Sequence, residues 1–320
     1  MKKISVLVCL SLMLFSLTFV CLAEKTYDLS FNLQEGSNYD INLEATTTIN
    51  QEIMGQSMEM GQSITASYTY NIKERTDQDI YKIDMEMGNM SFDFTKFDLT
   101  DAEEEIDLES LNEEMSYLND MMTDVDIEME MDKYGKVISM NGLEEYINNM
   151  YEYAIENSED PETVTAYQNM ASQFNDQVMM ESMSQYSVFM PGKKVSVGET
   201  WTQEMKLQQD FPFVLSVDYT LDSVTADEFV LSFNGSISDI GDFASMLGLG
   251  DMDVDMDMDI DTEYTGVVHL DRETCWYKKM EVLMSMDGSI SMTVPVDEEG
   301  TMQEFNIPMS STSEMLITSN

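Results

Sequence analysis

The sequence predicts a mainly β, α+β protein: two related antiparallel β halves, forming a curved sheet or half-barrel, with a helical insert packed on the sheet. Three observations carry this. Long runs alternate apolar and polar residues with period 2, which is the pattern of half-buried strands. Three turn-centred motifs recur in the same order in the two halves of the chain. Between the halves, the apolar period changes from 2 to that of a helix.

The first 23 residues stand apart from this pattern. Lys2 and Lys3 precede an apolar core from Ile4 to Val20, and Cys21 and Ala23 occupy the −3 and −1 positions of a cleavage site. That is the layout of a secretory signal peptide over 1–23. A lipid anchor on Cys21 is the second reading, set back by Val20 where a small residue is usual. The expected location is the periplasm, cell surface or extracellular medium. No later run of about 18 apolar residues suggests a second membrane segment.

The N-terminal β half is assigned to 24–140. Leu33-Gln-Glu-Gly36-Ser-Asn-Tyr39 aligns with Val195-Ser-Val-Gly198-Glu-Thr-Trp201, an apolar residue, a turn glycine and an aromatic in each. SYTYNIKERTDQDIYKIDMEM (67–87) aligns with SVDYTLDSVTADEFVLSFNGS (216–236), pairing Tyr70 with Tyr219, Ile72 with Leu221, Thr76 with Thr225 and Ile80 with Phe229. Each reads as a β-hairpin. MDKYGKV (131–137) aligns without gaps with LDRETCW (270–276), an aspartate-led turn between strands.

The helical insert is assigned to 141–190. Asn141-Gly-Leu-Glu144 resembles an N-cap with an acid three residues on, and Leu143, Ile147, Met150, Tyr151 and Ala154 fall on one face. Asp160-Pro161 opens a second helix, whose face runs Tyr167, Met170, Phe174, Val178 and Tyr186. Leu108, Leu111, Met115, Leu118 and Met122 suggest a third. The C-terminal β half, 191–320, ends in two runs (278–296 and 301–317) that flank a turn at Asp297-Glu-Glu-Gly300. Asp287-Gly288 is expected to mark a bend or bulge.

GDMDVDMDMDIDTEYTG (250–266) is the most unusual stretch. An EF-hand loop needs glycine at its sixth position and glutamate at its twelfth. Loops begun at Asp251 or Asp253 put Met256 and Thr262, or Met258 and Tyr264, there. Same-face carboxylates of a strand stand about 6.6 Å apart, too far for one ion. The chain has 32 methionines, and Met58/Met60, Met85/Met87, Met129/Met131 and Met256/Met258 are Met-x-Met pairs. Thioethers suit Cu(I), yet acidic spacers place these sulfurs on the inward face of strands. The stretch therefore reads as an amphipathic strand, with Met252, Val254, Met256, Met258 and Ile260 inward and Asp251 to Asp261 in water. No metal and no cofactor are expected.

Charge narrows the partners. The full chain carries −47, and loss of Lys2 and Lys3 leaves 13 basic residues against 62 acidic, a net charge of −49. Nucleic acid and anionic membrane surfaces are poor partners, because binding them needs a positive face, while weak surface binding of cations is expected. Without the signal peptide only Cys275 remains, beside Trp276, and it reads as a buried small hydrophobe. The single histidine, His269, lies in a strand. No G-x-S-x-G, Gly-rich phosphate loop, C-x-x-C or H-E-x-x-H occurs. Catalytic residues are therefore assigned as none, with a carboxylate-based hydrolase the enzyme alternative.

YSVFMPGKKVSVGETW (186–201), LQEGSNYDINL (33–43) and DKYGKV (132–137) resemble an uncharacterised family of exported bacterial proteins. In architecture the strand–turn–strand units are similar to the curved half-barrels of periplasmic lipoprotein-carrier proteins. That resemblance implies a hydrophobic concave face and a carrier role. The expected function is an exported, non-catalytic cell-envelope protein that binds a lipid or lipidated peptide in a Met-rich concave sheet. Trp201, Phe211, Phe213 and Trp276 are the candidate ligand-lining residues. The alternative is a structural or interaction protein whose acidic surface attracts cations or a basic partner.

Overall fold

The computed structural model describes residues 25–53, 56–100, 125–142, 189–206, 213–240, 255–295 and 302–319, with positions 107–109, 112, 116 and 180 between them. The strands are β1 (Thr26–Asp28), β2 (Asn38–Ile53), β3 (Gln56–Arg75), β4 (Ile80–Leu99), β5 (Val125–Asp132), β6 (Val137–Asn141) and β7 (Lys194–Ser196). They continue as β8 (Thr200–Lys206), β9 (Phe213–Val224), β10 (Glu228–Ile240), β11 (Asp255–Asp271), β12 (Tyr277–Pro295) and β13 (Met302–Thr318). The signal segment and most of the expected helical insert lie outside the described residues, as does most of the third helical stripe.

Eleven strands form one curved antiparallel sheet in the order β6-β5-β4-β3-β2-β13-β12-β11-β10-β9-β8. Two meanders, β2 to β6 and β8 to β13, are thus joined where β13 pairs with β2 through Met309↔Gln51 to Thr318↔Asn42. β1 and β7 make a separate two-stranded ribbon. Short polar turns join β3 to β4, β5 to β6, β9 to β10 and β11 to β12, and antiparallel neighbours need no crossover.

The repeat is visible in hydrogen bonds. Gly36 N–H donates to the Ile72 carbonyl at 2.7 Å, and Gly198 N–H donates to Leu221 at 2.7 Å. Both glycines have positive φ, 79° and 83°, where an L side chain costs roughly 1–2 kcal/mol. Thr76 N–H donates to the Ile80 carbonyl, and Thr225 N–H to that of Glu228, each at 2.9 Å. The second turn is thus one residue shorter: Ile80 corresponds to Glu228 rather than to Phe229, and buried Phe229 to buried Tyr81. In both turns the threonine hydroxyl accepts the returning strand's first N–H.

The third match needs a correction. Asp132 N–H bonds to Lys136 O, whereas Asp271 N–H bonds to Trp276 O, so the second turn holds one more residue. Gly135 at φ 87° therefore corresponds to Cys275 at φ 55°, not to Thr274. The expected bend at Asp287-Gly288 is also replaced: pairing with both neighbours runs unbroken through it. Gly288 is needed for clearance, because a Cβ there would strike the Asp259 carbonyl of β11.

All the described turns lie at one end of the sheet, and the core is there. Leu29, Phe31 and Leu33 run beneath the turns and are at most 2% exposed. Phe31 N–H bonds to Lys133 O at 2.7 Å in one half, and Asn32 N–H bonds to Thr274 O at 2.9 Å in the other. Tyr81 donates its hydroxyl to Phe31 O and accepts from Leu33 N–H. Asp271 organises the second turn, accepting from Glu273 N–H, Thr274 N–H and the Thr274 hydroxyl. Burial alone would raise its pKa, but these hydrogen bonds outweigh it and hold the carboxyl below its ordinary 3.8. Cys275 is buried, as the sequence suggested, and burial pushes its thiol up to about 11.

Two consequences are measurable. A Cβ at Gly266 would meet both the Glu281 carbonyl and the Phe233 ring that covers the glycine from β10. Gly266→Ala is expected to lose about 1–3 kcal/mol in urea unfolding. Asp271→Asn should be less stable than wild type at neutral pH. Because the folded-state pKa is lowered, that gap should be full above the ordinary value and close as pH falls through the folded one; paired unfolding curves from pH 7 downward check it.

Candidate functional site

The sheet has two unlike faces, and they define what it can bind. Alternation puts Ile64, Phe92, Met284, Met286, Ile290 and Met292 on the face that carries the core. Asp259, Asp261, Glu263 and Asp287 stand on the other. The long strands β2, β3, β4, β11, β12 and β13 carry this inner apolar face well beyond the packed end, where its side chains are half-buried rather than enclosed. β11 from Met258 to Tyr264 is an amphipathic strand as read from its sequence: Met258 and Ile260 half-buried, Asp259 and Asp261 exposed. β10 pairs with β11 only from Tyr264 onward. The aspartates therefore line a free stretch of strand among the described residues, where charge opposes edge-to-edge association.

The inner face is not uniformly oily. Thr47 donates its hydroxyl to Ser313 at 3.0 Å, and Ser311 lies in the next row of the same face. Thr262 stands two strands away in that row, opposite Met286. Its hydroxyl oxygen is buried with no hydrogen-bond partner among the described residues. A narrow band of neutral hydroxyls thus crosses the methionine-rich face.

Of the four candidate lining residues, the two tryptophans are packed in the core. Trp201 is 7% exposed, stacks on Tyr219 at 6.1 Å and donates its indole N–H to Phe189 O at 2.9 Å. Trp276 is 4% exposed among Phe31, Tyr39, Tyr70 and Tyr277, at 5.1–5.8 Å between ring centroids. Both belong to the filled packed end, where burial raises the phenol pKa of Tyr70, Tyr219 and Tyr277. Phe213 opens β9, and Phe211 lies outside the described residues. Isolated aromatics could not reveal this, since pocket walls and cores use the same side chains.

Two open grooves lie on the polar outer face. The larger, about 660 Å³, crosses the far ends of β2, β3 and β4 and the facing parts of β12 and β13, between residues such as Glu52, Glu59, Asp98 and Asp287. The second, about 510 Å³, crosses β11, β12, β13 and β2 in mid-sheet. His269 Nδ1 lies 3.5 Å from the Glu228 carboxylate, which also faces Lys278 at 3.6 Å, a surface charge network. Among the described residues, no three His, Cys, Asp or Glu side chains gather as a metal shell, and no helix is long and apolar enough to cross a membrane.

The two tryptophans allow a matched test. Phenylalanine removes the same volume at each, but only Trp201 gives up a hydrogen bond, since the Trp276 indole N–H has no partner among the described residues. Trp201→Phe is expected to cost about 1–3 kcal/mol more than Trp276→Phe in equilibrium unfolding. Equal losses would contradict the assigned packing.

Comparison with known proteins follows from this geometry. No curated protein matches the chain in sequence. Among solved structures, a lipovitellin, described by its lipid–protein interactions, aligns over 90% of this chain and 25% of its own at 8% identity, with a TM-score of 0.44. The chain thus spans about a quarter of that protein's length. An outer-membrane channel from Pseudomonas putida F1 aligns over 91% of this chain and 97% of its own at 7% identity, with a TM-score of 0.21. Neither likeness bears on the ligand of this chain. The model of a family of unknown function, DUF6263, matches residues 77–277, from the turn before β4 to the first residue of β12, and the chain belongs to that family.

Proposed function

We propose that this chain is an exported, non-catalytic protein of the cell envelope that holds an apolar ligand, a lipid or lipidated peptide, against the inner face of its sheet. The single observation behind this reading is the continuation of that face past the packed core. Rows such as Ala45–Ile64–Phe92 and Met258–Ile290–Ile307 present half-buried apolar side chains over long strands. Burying such a surface against a ligand contributes roughly 25 cal/mol per Å². Methionine suits it, because an unbranched thioether adapts to ligands of varied shape. The hydroxyl band at Thr47, Ser311, Ser313 and Thr262 is the counterpart of a neutral polar group such as an ester or alcohol. An anionic head would meet a chain of net charge −47. Export rests on the signal-peptide pattern over 1–23.

A second reading, an interaction protein recognised through its acidic surface, is favoured by the grooves on the outer face. The two readings use opposite faces and are separable. Native mass spectrometry of the mature protein, purified without detergent, is expected to show a bound mass that organic solvent removes. Met286→Glu, which puts a charge in the middle of the inner face, should lose that mass while far-UV circular dichroism stays unchanged. A bare protein mass after incubation with an envelope lipid extract would overturn the carrier reading.

A further inference from the structure

Across its middle strands the outer face carries apolar side chains among its polar ones. Register across four strands gives the row Val267–Glu281–Leu316–Glu44 and, two residues along, the row Thr265–Leu283–Glu314–Thr46. These side chains form the walls of the 510 Å³ groove. Its floor is the backbone of the row between them, Gly266, Val282, Met315 and Ala45. The side chains of Val282, Met315 and Ala45 point to the inner face, so the groove opens outward. Val267, Leu283 and Leu316 are thus apolar exceptions gathered on a face of aspartate, glutamate, serine and threonine. Leu283 is 42% exposed. The carboxylates alternate with them. Glu281 pairs with Lys279 at 2.8 Å, whereas Glu44 and Glu314 are exposed and have no ion-pair partner among the described residues.

We propose that this groove docks a cationic segment of a partner protein, in which basic and apolar side chains alternate. Three widths between strands make the groove about 14 Å long, enough for a short extended segment. The apolar side chains would bury Leu283, Leu316 and Val267 from water, and the basic ones would meet Glu44 and Glu314. Charge complementarity selects the partner: a chain at −47 attracts cationic segments and repels acidic ones before contact. A simple cation is a poorer occupant, because Glu44 and Glu314 are diagonal neighbours on adjacent strands, about 7–8 Å apart. This site is independent of any ligand on the inner face.

The test uses the mature full chain and a fluorescent peptide alternating lysine and leucine, read by anisotropy. Saturable binding is expected, unchanged by saturating envelope lipid and absent for a glutamate–leucine peptide. Leu283→Ser with Leu316→Ser should weaken it about tenfold. Glu44→Gln with Glu314→Gln should weaken it by a similar factor and flatten its salt dependence. Asp259→Asn with Asp261→Asn makes the same charge change about 20 Å along β11, and should leave affinity within about twofold. All six positions face solvent, and thermal unfolding verifies that each variant is folded. Equal weakening by the aspartate pair would show diffuse attraction to an acidic surface and overturn the site. So would wild-type affinity in the leucine variant, or no saturable binding at all.

Discussion

A sheet that is apolar on one face and eleven strands wide cannot leave that face bare, and here one short segment begins to cover it. Leu29 to Leu33 passes under the turns of both meanders, bonded to Lys133 O in the first and Thr274 O in the second. Its Leu29, Phe31 and Leu33 side chains are at most 2% exposed, and Tyr81 clamps its backbone on both sides of Asn32. The two halves share only one strand pair within the large sheet, β13 with β2. This tie, together with the β1–β7 ribbon, therefore makes the packed end a common core. Each fully buried aromatic or aliphatic side chain there contributes roughly 1.5–3 kcal/mol, concentrated where the turns already restrict the chain.

The consequence is a molecule with a gradient of burial along its strands. Near the turns the inner face is filled by Tyr70, Tyr219, Phe233 and Trp276. Farther along, the same face continues as half-buried methionine, isoleucine and phenylalanine. Clearance glycines keep this sheet coiled and continuous. Gly266 lets Phe233 lie across the strand, and Gly288 lets β11 approach β12. The outer face performs a different task. Among the described residues, its carboxylates line the stretch of β11 that β10 leaves unpaired and oppose pairing with other chains there, while the cluster of Val267, Leu283 and Leu316 gives that face a docking position of its own.

Much of this was legible in the residues. Alternation located the long strands, and the pairing of Gly36 with Gly198 and Thr76 with Thr225 located the repeat, because turns demand particular side chains. The single extra residue in the Asp271 turn was not legible, since Cys275 adopts the backbone conformation that Gly135 adopts in the first half. β1 and β7, three residues each, are too short to show a period. Trp201 and Trp276 were visible as large aromatics, but their place in the packed end depends on contacts far apart in sequence. The outer apolar patch was hidden for a related reason. In a single strand, Leu283 beside Val282 or Leu316 beside Ile317 looks like part of a buried run, and only the register places them together on the wet face.

The most direct test of this two-ended, two-faced account is hydrogen–deuterium exchange of the mature protein, with and without envelope lipid. The account expects slow exchange at the packed end in both conditions. It also expects protection gained on lipid addition in the far parts of β3, β4, β11 and β12. No change with lipid, or a change confined to the segment around Phe31 and Trp276, would contradict it.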